Sequence, residues 1–110
     1  MVKIPTPGKP VRGSKSGQPI MALFDLLGRN WSLGIIWVLS DRPLNFRELQ
    51  SKCETVSPTT LNTRVQELLT AMFVEKCIDG YQLSPLGREL FNLMKPVGKF
   101  AKKWGKKLQP

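Results

Sequence analysis

The sequence predicts a mainly α-helical fold with one small β-hairpin, an α+β class, and three observations support this prediction. Ser57-Pro58 and Ser84-Pro85 each predict a helix start, because serine is a favoured N-cap and proline is tolerated in the first helical turn. Apolar residues recur at helical spacing after both pairs. Asp79-Gly80 lies between two short apolar runs and predicts a hairpin, because a type I′ turn needs positive φ at both central positions.

The charge of the chain is concentrated at its two ends. With 110 residues the chain matches the size of one domain, and its formal net charge is +9. Residues 1–18 hold four basic side chains and residues 95–110 hold six lysines, and neither segment holds an acid. Residues 19–94 are nearly neutral, with seven basic and eight acidic side chains. This distribution favours a polyanionic partner, nucleic acid first and an acidic membrane surface second; basic tails that only keep the protein in solution are the alternative.

Several classes of protein are disfavoured by what the sequence lacks. No apolar run is long enough to span a bilayer and the start has no signal-peptide core, so we expect no membrane and a cytoplasmic location. The chain has no histidine, no phosphate-loop pattern and no acidic metal cluster, so we expect no enzyme activity, no cofactor and no metal. Its two cysteines, Cys53 and Cys77, are expected to be reduced thiols.

The chain begins with a segment that we do not expect to be regular. Residues 1–18 are rich in proline, glycine and lysine, which predicts a flexible basic arm before one ordered domain over residues 19–110. Pro19 is expected to open the first helix, and Gly28 to end it. The apolar side of this helix consists of Ile20, Leu23, Phe24 and Leu27.

Two further helices are predicted before the Ser57-Pro58 pair. Asn30 is expected to cap a helix over residues 31–40, which is apolar on almost all sides and therefore typical of a buried core helix. A ligand-binding aromatic box on this helix is the alternative. Leu44 is expected to form a one-residue bridge to the hairpin, and Asn45 to cap a short helix that begins at Phe46.

The helix that follows Ser57 is expected to cover residues 58–72. Its inward stripe is expected to consist of Leu61, Val65, Leu68, Leu69 and Met72. Its outer face carries Thr59, Thr60, Thr63, Gln66, Glu67 and Thr70, flanked by Asn62 and Arg64. Short polar side chains of this kind can reach base edges and phosphates in a major groove, and an ordinary solvated helix face is the alternative.

The hairpin is expected over residues 73–84, with strands at 73–78 and 81–83. Alternation places Val74, Lys76 and Ile78 on one face, and Glu75 and Cys77 on the other.

A last helix is expected over residues 85–108, and Pro96 and Gly98 should kink it or break it in two. One side of it is rich in lysine. Its apolar side consists of Leu86, Leu90, Leu93, Met94, Val97, Phe100, Ala101, Trp104 and Leu108. The second half of this apolar side exceeds what a small core needs and predicts a partner; packing onto the protein's own first helix is the alternative.

This order of elements is that of a winged helix-turn-helix domain, with the helix-turn-helix over residues 46–72 and the hairpin as wing. The sequence also resembles the HxlR-type bacterial and archaeal regulators from about Gln18 to Trp104. The matching pieces, in the family's order, are Leu26-Leu-Gly-Arg-Asn-Trp31, Pro43-Leu-Asn-Phe-Arg-Glu-Leu49, Ser57-Pro-Thr-Thr-Leu-Asn-Thr-Arg64, Glu67-Leu-Leu69 and Tyr81-Gln-Leu-Ser-Pro-Leu-Gly-Arg88.

The resemblance implies a homodimeric transcriptional regulator that places the helix over residues 58–72 in the major groove of double-stranded DNA. Carried over by position, the DNA-binding candidates are Thr59, Thr60, Asn62, Thr63 and Arg64, with Arg47 and Lys76 as further basic contacts. The resemblance also implies dimerisation through the first and last helices. The candidates for that interface are Ile20, Leu23, Phe24, Leu27, Val97, Phe100, Ala101 and Trp104.

The chain departs from the family pattern in two places. Redox- and aldehyde-sensing members carry a cysteine beside the proline that opens the first helix, and Gln18 stands there in this chain. The wing of the family is usually longer and basic at its tip, whereas Lys76 is the only cation of this hairpin. A different function is the alternative, in which the winged helix is a scaffold and the segment from Lys95 to Lys107 binds an acidic membrane or RNA.

Overall fold

The computed structural model describes residues 2–109 and confirms the α+β class. Five helices accompany one two-stranded antiparallel sheet in this part of the chain. The elements in chain order are α1 (Pro19–Leu27), α2 (Ser32–Leu39), α3 (Phe46–Lys52), α4 (Pro58–Thr70), β1 (Val74–Cys77), β2 (Gly80–Leu83) and α5 (Pro85–Leu108). The core lies between α2, the helix-turn-helix and the start of α5.

Helix α1 begins at Pro19 and is followed by Gly28, as predicted. Its fully buried residues are Ala22 and Leu26, which the predicted apolar side did not include. Ile20 and Phe24 from that side are about half exposed, while Leu23 and Leu27 pack partly against the core. The arm before α1 contacts it, since the backbone N–H of Arg12 donates to the Asp25 carboxylate at 3.2 Å.

Helix α2 starts one residue later than predicted, and the predicted cap at Asn30 is wrong. Trp31 occupies the N-cap position with a left-handed φ of 71°, and no side chain of residues 2–109 caps this helix. The buried-core prediction is confirmed for Ile35, Ile36 and Leu39. Trp37 nevertheless stays about half exposed and meets the ring of Phe91 edge-on, so α2 is open on one side.

The helix-turn-helix is capped at both helix starts as predicted. Asn45 and Glu48 form a capping box at α3, in which each side chain accepts from the other residue's backbone N–H. The Ser57 hydroxyl accepts from the backbone N–H of Thr60 at 3.2 Å and caps α4. Helix α4 ends two residues earlier than predicted, and the prediction that Met72 belongs to its buried stripe is wrong, because Met72 has a left-handed φ of 70° and is largely exposed.

The hairpin is shifted by one residue from its predicted register. Cys77 pairs with Gly80, so the turn residues are Ile78 and Asp79 rather than Asp79-Gly80. Gly80 belongs to β2 with a φ of 126°, and a Cβ at this position would lie 2.5 Å from the Leu44 carbonyl oxygen. The glycine is therefore required by the close approach of the predicted Leu44 bridge, whose N–H donates to the Tyr81 carbonyl at 3.0 Å. The placement of Ile78 on the Val74 face is wrong, because the turn leaves Ile78 fully exposed.

Helix α5 starts against the junction of α4 and β1. The Ser84 hydroxyl accepts from the backbone N–H of Gly87 at 2.9 Å, and a Cβ on Gly87 would lie 1.9 Å from the Phe73 carbonyl oxygen. Leu90 and Phe91 continue this contact into the core. The helix runs unbroken to Leu108, so the alternative of a break at Pro96 is wrong. A proline removes only one N–H donor, and the helix continues on both sides of it.

Candidate nucleic-acid interface

The outer face of α4 presents neutral hydrogen-bonding groups. Thr59, Asn62 and Thr63 are exposed, and Thr60 is half-buried. The Thr63 hydroxyl donates to the Thr59 carbonyl at 3.0 Å, which leaves its oxygen free to accept a hydrogen bond. The Asn62 amide makes no hydrogen bond to any other residue between 2 and 109, so its donor and acceptor both face outward. Thr60 is tied to the cap, because its hydroxyl accepts from Ser57 at 3.0 Å.

Glu67 does not lie on this outer face, so its prediction there is wrong. The residue is only 5% exposed, and its carboxylate accepts from the guanidinium groups of Arg29 and Arg64. Arg29 lies in the turn between α1 and α2, so this cluster joins that turn to α4. A buried carboxylate needs such partners, because an unpaired charge is strongly unfavourable inside a protein.

Arg64 lies at the flank of the outer face and is held by its own chain. Its Nε donates to the Asn30 carbonyl at 2.8 Å, and its Nη1 donates to a Glu67 carboxylate oxygen at 3.1 Å. The spacing of three residues between Arg64 and Glu67 on one helix could have indicated this ion pair. No local signal indicates Arg29, which lies 38 residues from Glu67 in the chain.

Two further basic candidates stand at the surface. Arg47 is exposed on α3 and Lys76 is exposed on β1. Neither takes part in an ion pair within the part of the chain that the structure describes. On α3, the pKa of Glu48 is lowered, first by the backbone N–H of Asn45 and then by the side chain of Arg42.

The cysteines differ in their surroundings. Cys53 is fully buried at the end of α3, and burial raises the pKa of its thiol. Cys53 is therefore a residue of the core. Cys77 is half-buried on β1. Residues 2–109 contain no group of three or more side chains that could hold a metal ion.

Apolar side chains are also exposed on α5 and on α1, and we call this set the apolar stripe. Five large apolar residues on α5 are each more than half exposed: Leu93, Val97, Phe100, Trp104 and Leu108. Ala101 is also exposed on α5, and Ile20 and Phe24 are exposed on α1. Of the predicted interface residues, only Leu23 and Leu27 are partly covered by the chain's own core. The structure thus leaves uncovered an apolar area that a partner could bury.

Among residues 2–109, no single helix has both the length and the apolar character needed to cross a membrane. Only α1 and α2 taken together reach those limits, and they are bent by 84° relative to each other.

Solved structures of transcriptional regulators resemble this fold. The quinone-bound YodB from B. subtilis superposes with a TM-score of 0.71 at 30% sequence identity, covering 76% of this chain and 96% of that one. Reduced YodB gives a TM-score of 0.64 at 28% identity, with 82% and 92% covered. A possible HxlR family transcriptional factor from Thermoplasma volcanium gives a TM-score of 0.71 at 26% identity, with 81% and 86% covered.

At the level of sequence, no curated protein matches the chain. The family model of the HxlR-like helix-turn-helix matches residues 26–109, which include the whole helix-turn-helix, the wing and α5. The matched segment spans most of the chain and agrees with the resemblance of the quoted motifs. The chain therefore belongs to the HxlR family of helix-turn-helix transcriptional regulators.

Proposed function

We propose that this protein is a homodimeric, cytoplasmic transcriptional regulator that binds double-stranded DNA sequence-specifically, with α4 in the major groove. One observation carries the proposal: α4 buries Leu61, Val65 and Leu68 completely and turns its neutral polar face outward. Neutral hydroxyl and amide groups suit base edges, because they both donate and accept. It acts by binding and not by catalysis, as is typical of its family.

The exposed residues of α4 have distinct proposed roles. Asn62 offers an amide that can bind adenine in a bidentate manner, and Thr59 and Thr63 offer hydroxyls to bases or phosphates. Thr60, held by Ser57, is proposed to contact a phosphate at the start of the helix. Arg47 and Lys76, with the lysines at both chain ends, supply the charge that releases counterions from DNA.

The apolar stripe supports a homodimer. A second copy would cover the exposed apolar side chains of α5 and α1 with the same set of side chains of its own. A two-fold interface uses the same surface on both copies. Two copies of α4 related by such an axis would read two half-sites about one helical turn apart, so we expect a palindromic operator.

The test begins with selection of bound fragments from random duplex DNA. On the selected operator, Asn62→Ala and Thr63→Ala should each weaken binding by roughly 1–3 kcal/mol, or roughly 5- to 150-fold. Thr70→Ala is the matched control, because Thr70 makes the same helix-carbonyl bond as Thr63, at 2.9 Å, but lies at the far end of α4. Unchanged binding in both Asn62→Ala and Thr63→Ala would exclude α4 as the recognition helix.

The same assay tests the charge argument. If about six phosphates are neutralised, affinity should fall on the order of 10³-fold or more between about 50 and 200 mM salt. A flat salt response contradicts a role for the basic ends.

A second function is favoured by the position of lysines beside the apolar stripe on α5. A basic amphipathic helix can lie on an acidic membrane or bind RNA, with the winged helix as scaffold. Acidic liposomes distinguish the two functions, because lipid should not shift the fluorescence of Trp104 if that residue lies at a dimer interface.

A further inference from the structure

The cluster of Arg29, Glu67 and Arg64 uses only part of the Arg64 side chain. A guanidinium has five N–H donors, and Arg64 directs two of them to the Asn30 carbonyl and to Glu67. Its other three donors meet no acceptor within residues 2–109, and the side chain is 19% exposed. The guanidinium is therefore oriented by two acceptors, and its remaining N–H donors are unpaired at the partly exposed flank of α4.

We propose that Glu67 is a positioning residue for DNA binding: it fixes Arg64 so that the unpaired N–H donors of Arg64 bind a phosphate beside α4. This inference rests on the proposed function. A guanidinium held in place loses less conformational entropy on binding than a free side chain, and its planar fork matches a phosphate. Arg64 is therefore a direct contact, whereas Glu67 acts through Arg64.

Arg29 makes this arrangement compatible with DNA. Glu67 alone would repel a phosphate, but Arg29 pairs with the carboxylate oxygen that Arg64 does not use. The three side chains together carry one net positive charge. The side chain of Glu67 is only 7% exposed, so its charge is shielded from solvent and compensated inside the protein.

A purely structural role for the same cluster makes a different prediction. If Glu67 only joins α4 to the turn after α1, its substitution should lower stability and weaken DNA binding whether or not Arg64 is present. If Glu67 positions Arg64, its effect on DNA binding should disappear once Arg64 is removed, whereas its effect on stability remains. A double-mutant cycle separates the two roles.

The experiment uses the full chain and its selected operator, over a series of salt concentrations. Arg64→Ala should weaken binding roughly 5- to 150-fold. It should also lower the slope of log affinity against log salt concentration by about one, the loss expected for one phosphate contact. Glu67→Asp keeps the charge but withdraws the carboxylate by one methylene, and it should weaken binding severalfold in the wild-type background and not in Arg64→Ala. Arg64→Lys should keep the salt slope and still lose affinity, because an ammonium is a compact point charge and lacks the planar geometry by which Arg64 bonds Asn30 and Glu67 from two nitrogens.

Arg88→Ala is the control, because Arg88 is an exposed arginine outside the cluster whose Nη1 donates to the Ser40 carbonyl at 3.0 Å. If Glu67→Asp does not fold, as judged by thermal unfolding, Glu67→Gln replaces it in the cycle. An equal loss in both backgrounds, or an unchanged salt slope in Arg64→Ala, overturns the inference. The proposed function fails separately, when Asn62→Ala and Thr63→Ala leave binding unchanged.

Discussion

Helices α4 and α5 begin with the same kind of cap but differ in how much of their apolar side is buried. Each begins at the proline of a Ser-Pro pair, and the serine hydroxyl accepts from the backbone N–H three residues on. The apolar side of α4 is buried in the chain's own core, completely at Leu61, Val65 and Leu68, whereas the apolar side of α5 is largely exposed from Leu93 onward. The same local signal therefore starts one helix that completes the core and one helix that extends past it.

This difference supports the two surfaces that we propose for DNA and for a second copy of the chain. Because the core takes up the leucines of α4, only its polar face remains for a partner, and that face suits DNA. Because the core covers only the first turns of α5, its apolar side remains, and that side suits a second copy of the chain.

Two leucines on the two helices should respond very differently to truncation. Leu68→Ala should lower the free energy of unfolding by about 2–5 kcal/mol, because Leu68 is fully buried and its loss leaves a cavity. Leu93→Ala should change the free energy of unfolding of the monomer by no more than about 0.5 kcal/mol, because Leu93 is largely exposed. Urea unfolding at low protein concentration measures both. Similar losses for the two variants would contradict the contrast.

A charge on the apolar stripe should separate the two copies of the proposed dimer. Phe100→Glu should weaken dimerisation by at least about 2 kcal/mol, roughly 30-fold, because it places a carboxylate where the proposed interface has an aromatic ring. Sedimentation over a range of concentrations measures the dissociation constant. Lys99→Glu is the control, since it introduces the same carboxylate at the neighbouring exposed position. An unchanged dimer in Phe100→Glu would move the interface away from α5.

The two serine caps should differ by a smaller amount. Ser57→Ala should lower stability by roughly 0.5–2 kcal/mol, as is usual for loss of an N-cap. Ser84→Ala should have the larger effect, because Ser84 is buried and its hydroxyl also donates to the Met72 carbonyl at 2.6 Å. Thermal unfolding of the two variants compares the caps directly, and a larger loss at Ser57 would be the contrary result.

Much of the fold could be predicted because its signals are local. The caps at Asn45, Ser57 and Ser84 were visible in the sequence, and all three form. A local signal also misled, since Asp79-Gly80 is a strong turn pair and yet Gly80 is a strand residue. The passage of Leu44 against β2 decided that register, and Leu44 is far from the turn in sequence.

The candidate site shows the same division. Helical spacing placed Thr59, Asn62 and Thr63 outward correctly, because the buried stripe of α4 is nearly continuous. It placed Glu67 outward wrongly, because the partner that stabilises Glu67 inside comes from the turn after α1.

The sequence by itself determined where the helices begin and which face of α4 is apolar, because caps, prolines and periodic leucines act within a few residues. Only the tertiary structure decided that Glu67 is buried between two arginines and that the end of α5 is left uncovered. Both outcomes depend on how far the core extends and on which side chains, distant in sequence, meet there. Neither can be predicted from the neighbouring residues in the sequence.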